Sequence, residues 1–144
     1  MLNIYDFIFD NCNEEDIAII YEDSSISYYQ LREKIDKVSI LIQECGISSN
    51  FRIGLMLDNS IDFIIFLMAF LKNENLVCLL NTKNDEKDLN KKLNLTHNDI
   101  LICEDYIKNK ISRYQDFLIR IICYSHFPTQ SIFSFLQIIN ELNR

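Results

Sequence analysis

Glycine and proline are almost missing from this chain. Among 144 residues there are two Gly and one Pro, where average usage of about 7% and 5% would give roughly ten and seven. Two isolated glycines cannot build a phosphate-cradling loop, and neither G-x-G-x-x-G nor G-x-x-x-x-G-K-[ST] occurs. No G-x-S-x-G is present either, and no local pattern pairs a Cys with a His base. Basic clusters are missing too. The net charge is −7 and the 14 Lys and Arg are scattered, which excludes a nucleic-acid face. The acidity implies solubility rather than a function. The longest apolar run, Phe63 to Leu71, is less than half of the ~20 residues that a membrane span requires. Met1 to Asp10 lacks the basic start of a secretory signal and carries Asp6.

The five Cys, at 12, 45, 78, 103 and 123, form no C-x-x-C and are odd in number. They read as reduced core thiols of a cytoplasmic protein. Cys12, Cys45 and Cys78 are evenly spaced, but their flanks do not repeat, so the interval is the length of one strand–helix unit rather than a solenoid period. His97 and His126 have no partner at ligand spacing, so no metal site is expected. Carboxylate pairs such as Glu14-Glu15 and Asp85-Glu86 lie in polar stretches and read as solvated surface.

What is present is a regular alternation. Leu2 to Asn11 reads as an opening helix. Ile17 to Tyr21 and the extended residues around Ile26 flank a polar turn and predict a hairpin. Ser27 and Gln30 form a capping box for a helix with Leu31, Ile35, Val38, Ile42 and Cys45 on one face. Gly46 supplies its left-handed C-terminal position. Arg52 to Leu57 is a strand. Ser60 caps a helix from Ile61 to about Asn73 that is apolar on nearly every side and therefore buried. Leu76 to Leu80 is continuously apolar, which suits a parallel strand covered on both faces. Asp85 to Leu95 reads as a polar helix with Leu89, Leu93 and Leu95 inward. Ile100 to Cys103 is a strand, Tyr106 to Arg113 a helix, Leu118 to Tyr124 a strand, and Ser131 caps a last helix. The alternation predicts an α/β fold: three layers, a mostly parallel sheet with helices on both faces, preceded by the helix and β-hairpin. No linker divides the chain, so one domain over residues 1–144 is expected.

Such a fold names no function by itself. Acidic residues at strand ends, Glu22-Asp23 and Asp58, with Thr82 after a third strand, resemble a response-regulator receiver. The strand over 118–124 lacks the receiver Lys, and where a receiver begins with its acidic-ended strand and runs directly into a helix, this chain spends about sixteen residues first and then makes a hairpin. The plainer reading of Asp58-Asn59 is a polar strand-to-helix turn.

The order of short motifs resembles the adenylate-forming enzymes, the acyl-CoA synthetases and peptide-synthetase adenylation domains. Ile26-Ser27-Tyr28-Tyr29-Gln30-Leu31 looks like their "T-Y-x-E-L". Gly46-Ile47 followed by Phe51-Arg52-Ile53-Gly54-Leu55-Met56-Leu57 is similar to "G-V … D-R-V-A-I-L-L". Asn59-Ser60-Ile61-Asp62-Phe63 resembles "N-S-x-E-F". Ala69-Phe70-Leu71-Lys72 and Leu79-Leu80-Asn81 resemble "A-x-L-K-A-G-A-x-x-V-P-L-N". Ile100-Leu101-Ile102-Cys103-Glu104-Asp105 fits "K-V-L-I-T-D". The resemblance covers about residues 2–105. The departures fall on turn formers: Glu74 and Leu79 replace Gly and Pro, Asn50-Phe51 replaces Gly-Asp, and Asp58 replaces Pro. Altered loops on an unchanged core are expected.

The resemblance implies the N-terminal subdomain of such an enzyme, ending before the phosphate-binding loop. The groups that hold ATP, its ribose and magnesium lie downstream of the matched region in that family. An incomplete or split part of an acyl- or aminoacyl-adenylating enzyme is therefore expected, inactive alone. ATP and Mg would be bound only with a partner chain that carries the rest. The alternatives are a non-catalytic interaction module docking on a synthetase or carrier protein, and a truncated product. No residue is carried over as catalytic, cofactor-binding or metal-binding. Ser27, Gln30, Asn59, Ser60 and Asn81 match motif positions, with capping and turn formation as their plain role. An exposed apolar face is expected, and with it a partner or a homo-oligomer.

Overall fold

The computed structural model describes residues 3–44, 46–104, 106–107 and 120–124. The chain divides into two compact units, residues 1–49 with 59–75, and residues 50–58 with 76–144. The mixture of helices with a parallel sheet is the α/β class that the alternation implies.

The first unit begins with α1 (Ile4–Asp10), whose N-cap Asn3 accepts the Asp6 N–H through its side chain. The hairpin follows as β1 (Ile17–Tyr21) and β2 (Ser24–Ser27), paired antiparallel with Tyr21 opposite Ser24. Then comes α2 (Tyr28–Glu44). Its capping box is complete: Ser27 Oγ accepts the Gln30 N–H at 3.2 Å, and Gln30 Oε1 accepts the Ser27 N–H at 3.0 Å. Two donors that every helix N-terminus leaves unpaired are thus satisfied. Leu31, Ile35, Val38 and Ile42 are buried along the predicted face; Cys45 lies outside the described residues. The facing helix is α3 (Ile61–Lys72), capped by Ser60 accepting the Phe63 N–H at 3.0 Å. No residue of α3 is exposed, as its all-round apolarity requires.

Both helices end in the same way. Gly46 N–H donates to Gln43 O and Ile47 N–H to Ile42 O after α2; Glu74 N–H donates to Leu71 O and Asn75 N–H to Phe70 O after α3. Each is a Schellman motif, with its left-handed residue just past the cap. Gly46 takes φ +79° at no steric cost. Glu74 takes φ +61° with a full side chain. This is the position at which the resembled family has Gly, and Glu74 adopts the left-handed conformation that favours Gly. Glu22 in the hairpin turn (φ +53°) and His97 after α4 (φ +47°) carry the same strain.

Polar contacts tie the helices together. Tyr5 Oη donates to Asp36 Oδ1 at 2.5 Å, and Lys72 Nζ bonds the same oxygen at 2.6 Å while lying 4.6 Å from the Tyr5 ring centroid. Asn73, at the end of α3, accepts from Ser39 Oγ (2.6 Å) and Gln43 Nε2 (3.0 Å) and donates to Ser39 O (3.2 Å). One amide thereby fixes two turns of α2 against the end of α3.

The second unit holds four parallel strands in the order β4-β3-β5-β6. They are β3 (Arg52–Met56), β4 (Leu76–Leu79), β5 (Ile100–Glu104) and β6 (Arg120–Tyr124), with α4 (Glu86–Thr96) between β4 and β5. Met56, Leu80, Leu89, Leu93, Leu101, Cys103 and Ile107 form its core. A Cβ on Gly54 would lie 2.9 Å from Asn98 Nδ2 and 3.0 Å from Leu101 Cδ1, so buried Asn98 requires glycine in mid-strand.

Two expectations fail here. β4 is not covered on both faces: Leu76 is 62% and Leu79 55% exposed, because β4 lies at the edge of the described sheet. Leu95 is 70% exposed rather than inward. It falls off the Leu89–Leu93 stripe by half a turn. Of the helix expected over residues 106–113, Tyr106 and Ile107 are described and helical; the rest lies outside the described residues, as does the last helix.

Replacing Glu74 by Gly relieves the left-handed strain and a carboxylate at the negative end of α3, and should stabilise the fold by about 1 kcal/mol. Glu74→Ala removes the charge but keeps the Cβ, and should gain less. Urea midpoints of the three proteins separate the effects. Burial first, and then the Asp36 hydrogen bond, hold the Tyr5 phenol well above its ordinary range. The folded state therefore keeps this proton to higher pH than the unfolded chain. Its contribution is fully present below about pH 10 and is lost as pH rises beyond it. Stability measured from pH 9 to 11.5 should fall, with a shallower slope in Tyr5→Phe.

Candidate functional site

The order of the sheet singles out one place. The chain lays β4 on one side of β3 and then crosses to lay β5 on the other. The two connections diverge there, and in open α/β sheets a crevice outside the carboxyl ends of the strands at such a switch point is where ligands bind.

The residues at the ends of β3 and β5 are polar and joined. The Asp58 N–H, two residues past β3, donates to Glu104 Oε1 at 3.0 Å, and Glu104 is only 6% exposed. Tyr106, just beyond β5, donates its hydroxyl to Asp58 Oδ1 at 2.9 Å. Burial, and next the bond to Asp58, push this phenol up, while a hydrogen bond with Thr82, after β4, pulls it down. Asn81 accepts the Lys83 N–H at 2.9 Å and shapes the turn leaving β4. The ends of three neighbouring strands thus meet in one hydrogen-bonded set.

This set is rich in acceptors and poor in chemistry. Tyr106 is neutral at physiological pH and half exposed, and its proton is already given to Asp58. Among the described residues no group of three or more His, Cys, Asp or Glu could hold a metal ion. The set can lock the strand ends and present the Asp58 carboxylate and the Tyr106 phenol to a neighbour. Its described side chains are carboxylates, hydroxyls and an amide, whereas a triphosphate is held by backbone N–H groups or cations.

The residues singled out in the sequence fall into place as caps. Ser27, Gln30 and Ser60 cap helices and Asn81 makes a turn. Glu22 and Asp23 make the turn of the antiparallel β1–β2 hairpin, not the strand-to-helix turn of a receiver. Sequence reasoning missed Tyr106; an aromatic three residues past the apolar end of a strand is its only signal. The first unit also has an open cavity of about 350 Å³ lined by Gln43, Gly46, Ile47, Ser48, Ser49 and Asn73. It is uncharged and sits at helix C-terminal ends, which disfavour anions.

Comparison with known proteins agrees with this placement of elements. A family model described as AMP-binding enzyme matches residues 9–130. Bacitracin synthase 2 of Bacillus licheniformis is 26% identical over 98 residues, 68% of this chain and 4% of that protein. Among solved structures, the N-terminal subdomain of NpsA from Klebsiella oxytoca superposes with a TM-score of 0.73 at 16% identity, over 93% of this chain and 32% of that one. ATP-bound MatB from Rhodopseudomonas palustris gives 0.78 at 16% identity, over 94% of this chain and 27% of that one. At such identities the superpositions establish the fold. The chain spans about a third or less of each solved relative and a few per cent of the synthase.

Glu104→Ala leaves the Asp58 N–H without its charged, buried acceptor and should cost about 1–3 kcal/mol. Tyr106→Phe loses the half-exposed bonds to Asp58 and Thr82 and should cost about 1 kcal/mol or less. Denaturant unfolding of both variants distinguishes a structural clasp at Glu104 from a surface contact at Tyr106.

Proposed function

The chain belongs to the AMP-binding enzyme family and corresponds to a fragment of an adenylating enzyme domain, and on that premise we propose that it is the scaffold part of an acyl- or aminoacyl-adenylating unit, completed by further polypeptide that brings the ATP site. The observation that supports this most is the pairing of a family-type fold with a strand-end set whose described side chains are the Asp58 and Glu104 carboxylates and the Tyr106 phenol. Activation of a carboxylate by ATP depends on positioning and on charge stabilisation of the phosphates. The described residues do not fit that task. The switch-point set offers carboxylates and a neutral phenol, and a phosphate brought there would meet Asp58 and Glu104.

In this reading the 144 residues supply rigid strand ends, and the completing polypeptide supplies phosphate loop, ribose contact, magnesium and mobile Lys. That polypeptide continues this chain or is a second subunit. The substrate class is an organic acid, acyl or amino. The setting is the cytoplasm, where the thiols of Cys12, Cys78 and Cys103, none of them in a disulfide, stay reduced. No helix among the described residues is long and apolar enough to cross a membrane.

ATP–pyrophosphate exchange over a panel of amino, aryl and fatty acids tests the proposal. The chain alone should give none, and its complex with the polypeptide encoded beside it should give exchange with at least one acid. Exchange by the isolated chain contradicts the reading. A stable complex that remains silent instead favours a non-catalytic interaction module, which the strained Glu74 turn would suit.

A further inference from the structure

β4 is an edge strand that nothing in its own sequence protects. Leu80 N–H donates to Leu55 O at 2.9 Å, and Leu55 lies opposite Leu79. Residues 76, 78 and 80 therefore direct their backbone groups toward β3, and the alternation of a strand turns those of Val77 and Leu79 outward. Among the described residues no strand lies on that outer side. Edge strands are ordinarily blunted by Lys, Pro or a bulge. Leu76-Val77-Cys78-Leu79-Leu80 has no charge and no Pro, its register with β3 runs unbroken, and Leu76 and Leu79 are 62% and 55% exposed.

We propose that this edge pairs with β4 of a second copy of the chain, antiparallel about a two-fold axis, to give a continuous sheet across a homodimer. The strand is self-complementary for this purpose. A two-fold perpendicular to the sheet preserves its faces, so only registers that pair residues of the same face are allowed. The one register that overlaps all of Leu76 to Leu80 sets Val77 opposite Leu79 of the copy. Both residues turn their backbone groups outward, so each such pair exchanges two N–H···O bonds. The same register places Cys78 on the axis, opposite Cys78 of the copy, in a non-hydrogen-bonded pair with Cα atoms about 4.5 Å apart. That spacing lies inside the range a disulfide spans. Cys78 is a free, half-buried thiol, so the geometry supplies its own reporter.

Sedimentation of the reduced full chain over a wide concentration range, followed by treatment with diamide, tests the proposal. Diamide takes two electrons and two protons from two thiols as the S–S bond forms, and becomes the hydrazine. The expected result is a monomer–dimer equilibrium with a Cys78–Cys78 peptide as the main cross-link. Leu79→Lys places a charge on an exposed edge position and should weaken association by at least about tenfold with an unchanged circular dichroism spectrum. Cys78→Ser should abolish the cross-link and keep the dimer, which separates pairing from oxidation. A monomer at all concentrations, a cross-link mapping to Cys12 instead, or a dimer indifferent to Leu79→Lys would overturn it.

Discussion

The second unit hangs on the five residues of β3. Arg52 to Met56 hydrogen-bond to β4 on one side and β5 on the other, and four of the five are buried. A strand paired on both sides leaves its neighbours only one orientation each, because a parallel ladder fixes direction and register together. From this follow the reversal of strand order, the adjacency of Asp58 and Glu104, and the position of β4 at an edge. Gly54 is part of the same constraint, since the side chains of Asn98 and Leu101 occupy the space a Cβ would fill. The first unit rests on a different device. There Asn73 at the end of α3 binds Ser39 and Gln43 of α2, and Asp36 of α2 binds Tyr5 of α1 and Lys72 of α3, so loss of one polar group would loosen the helical cluster.

Elements with local chemistry were legible in the sequence. The Ser27–Gln30 box, the Ser60 cap and the Gly46 terminus specify their positions through short-range hydrogen bonds, so their residues announce them. The apolar stripe of α2 and the all-round apolarity of α3 determined what is buried. Failures came where burial depends on neighbours far away in sequence. Leu76 and Leu79 look like core residues of a parallel strand, and only the order of the sheet shows that they lie on its margin. Tyr106 was invisible for the same reason: its meaning comes from Asp58, which the fold brings to it. Glu74 is instructive in another way. A sequence reader sees a lost glycine and expects a changed loop, yet six hydrogen-bonded residues of the Schellman motif hold the backbone in place and the side chain bears the strain.

The proposed function separates scaffold from chemistry. In the second unit the ends of β3 and β5 are joined through the buried Glu104 carboxylate, the kind of support the proposed function asks of a scaffold. The reacting groups themselves need cations, glycine-rich backbone and mobile lysine, none of which the described residues assemble. Family membership is established by the sequence match over residues 9–130 and the fold; under the proposed function, catalytic competence is a separate property that further polypeptide would supply.

The most direct test of that separation is calorimetric titration of the purified chain with magnesium–ATP at physiological ionic strength. The account predicts no saturable heat up to millimolar nucleotide. A stoichiometric isotherm with micromolar affinity would show a nucleotide site within these 144 residues and contradict it.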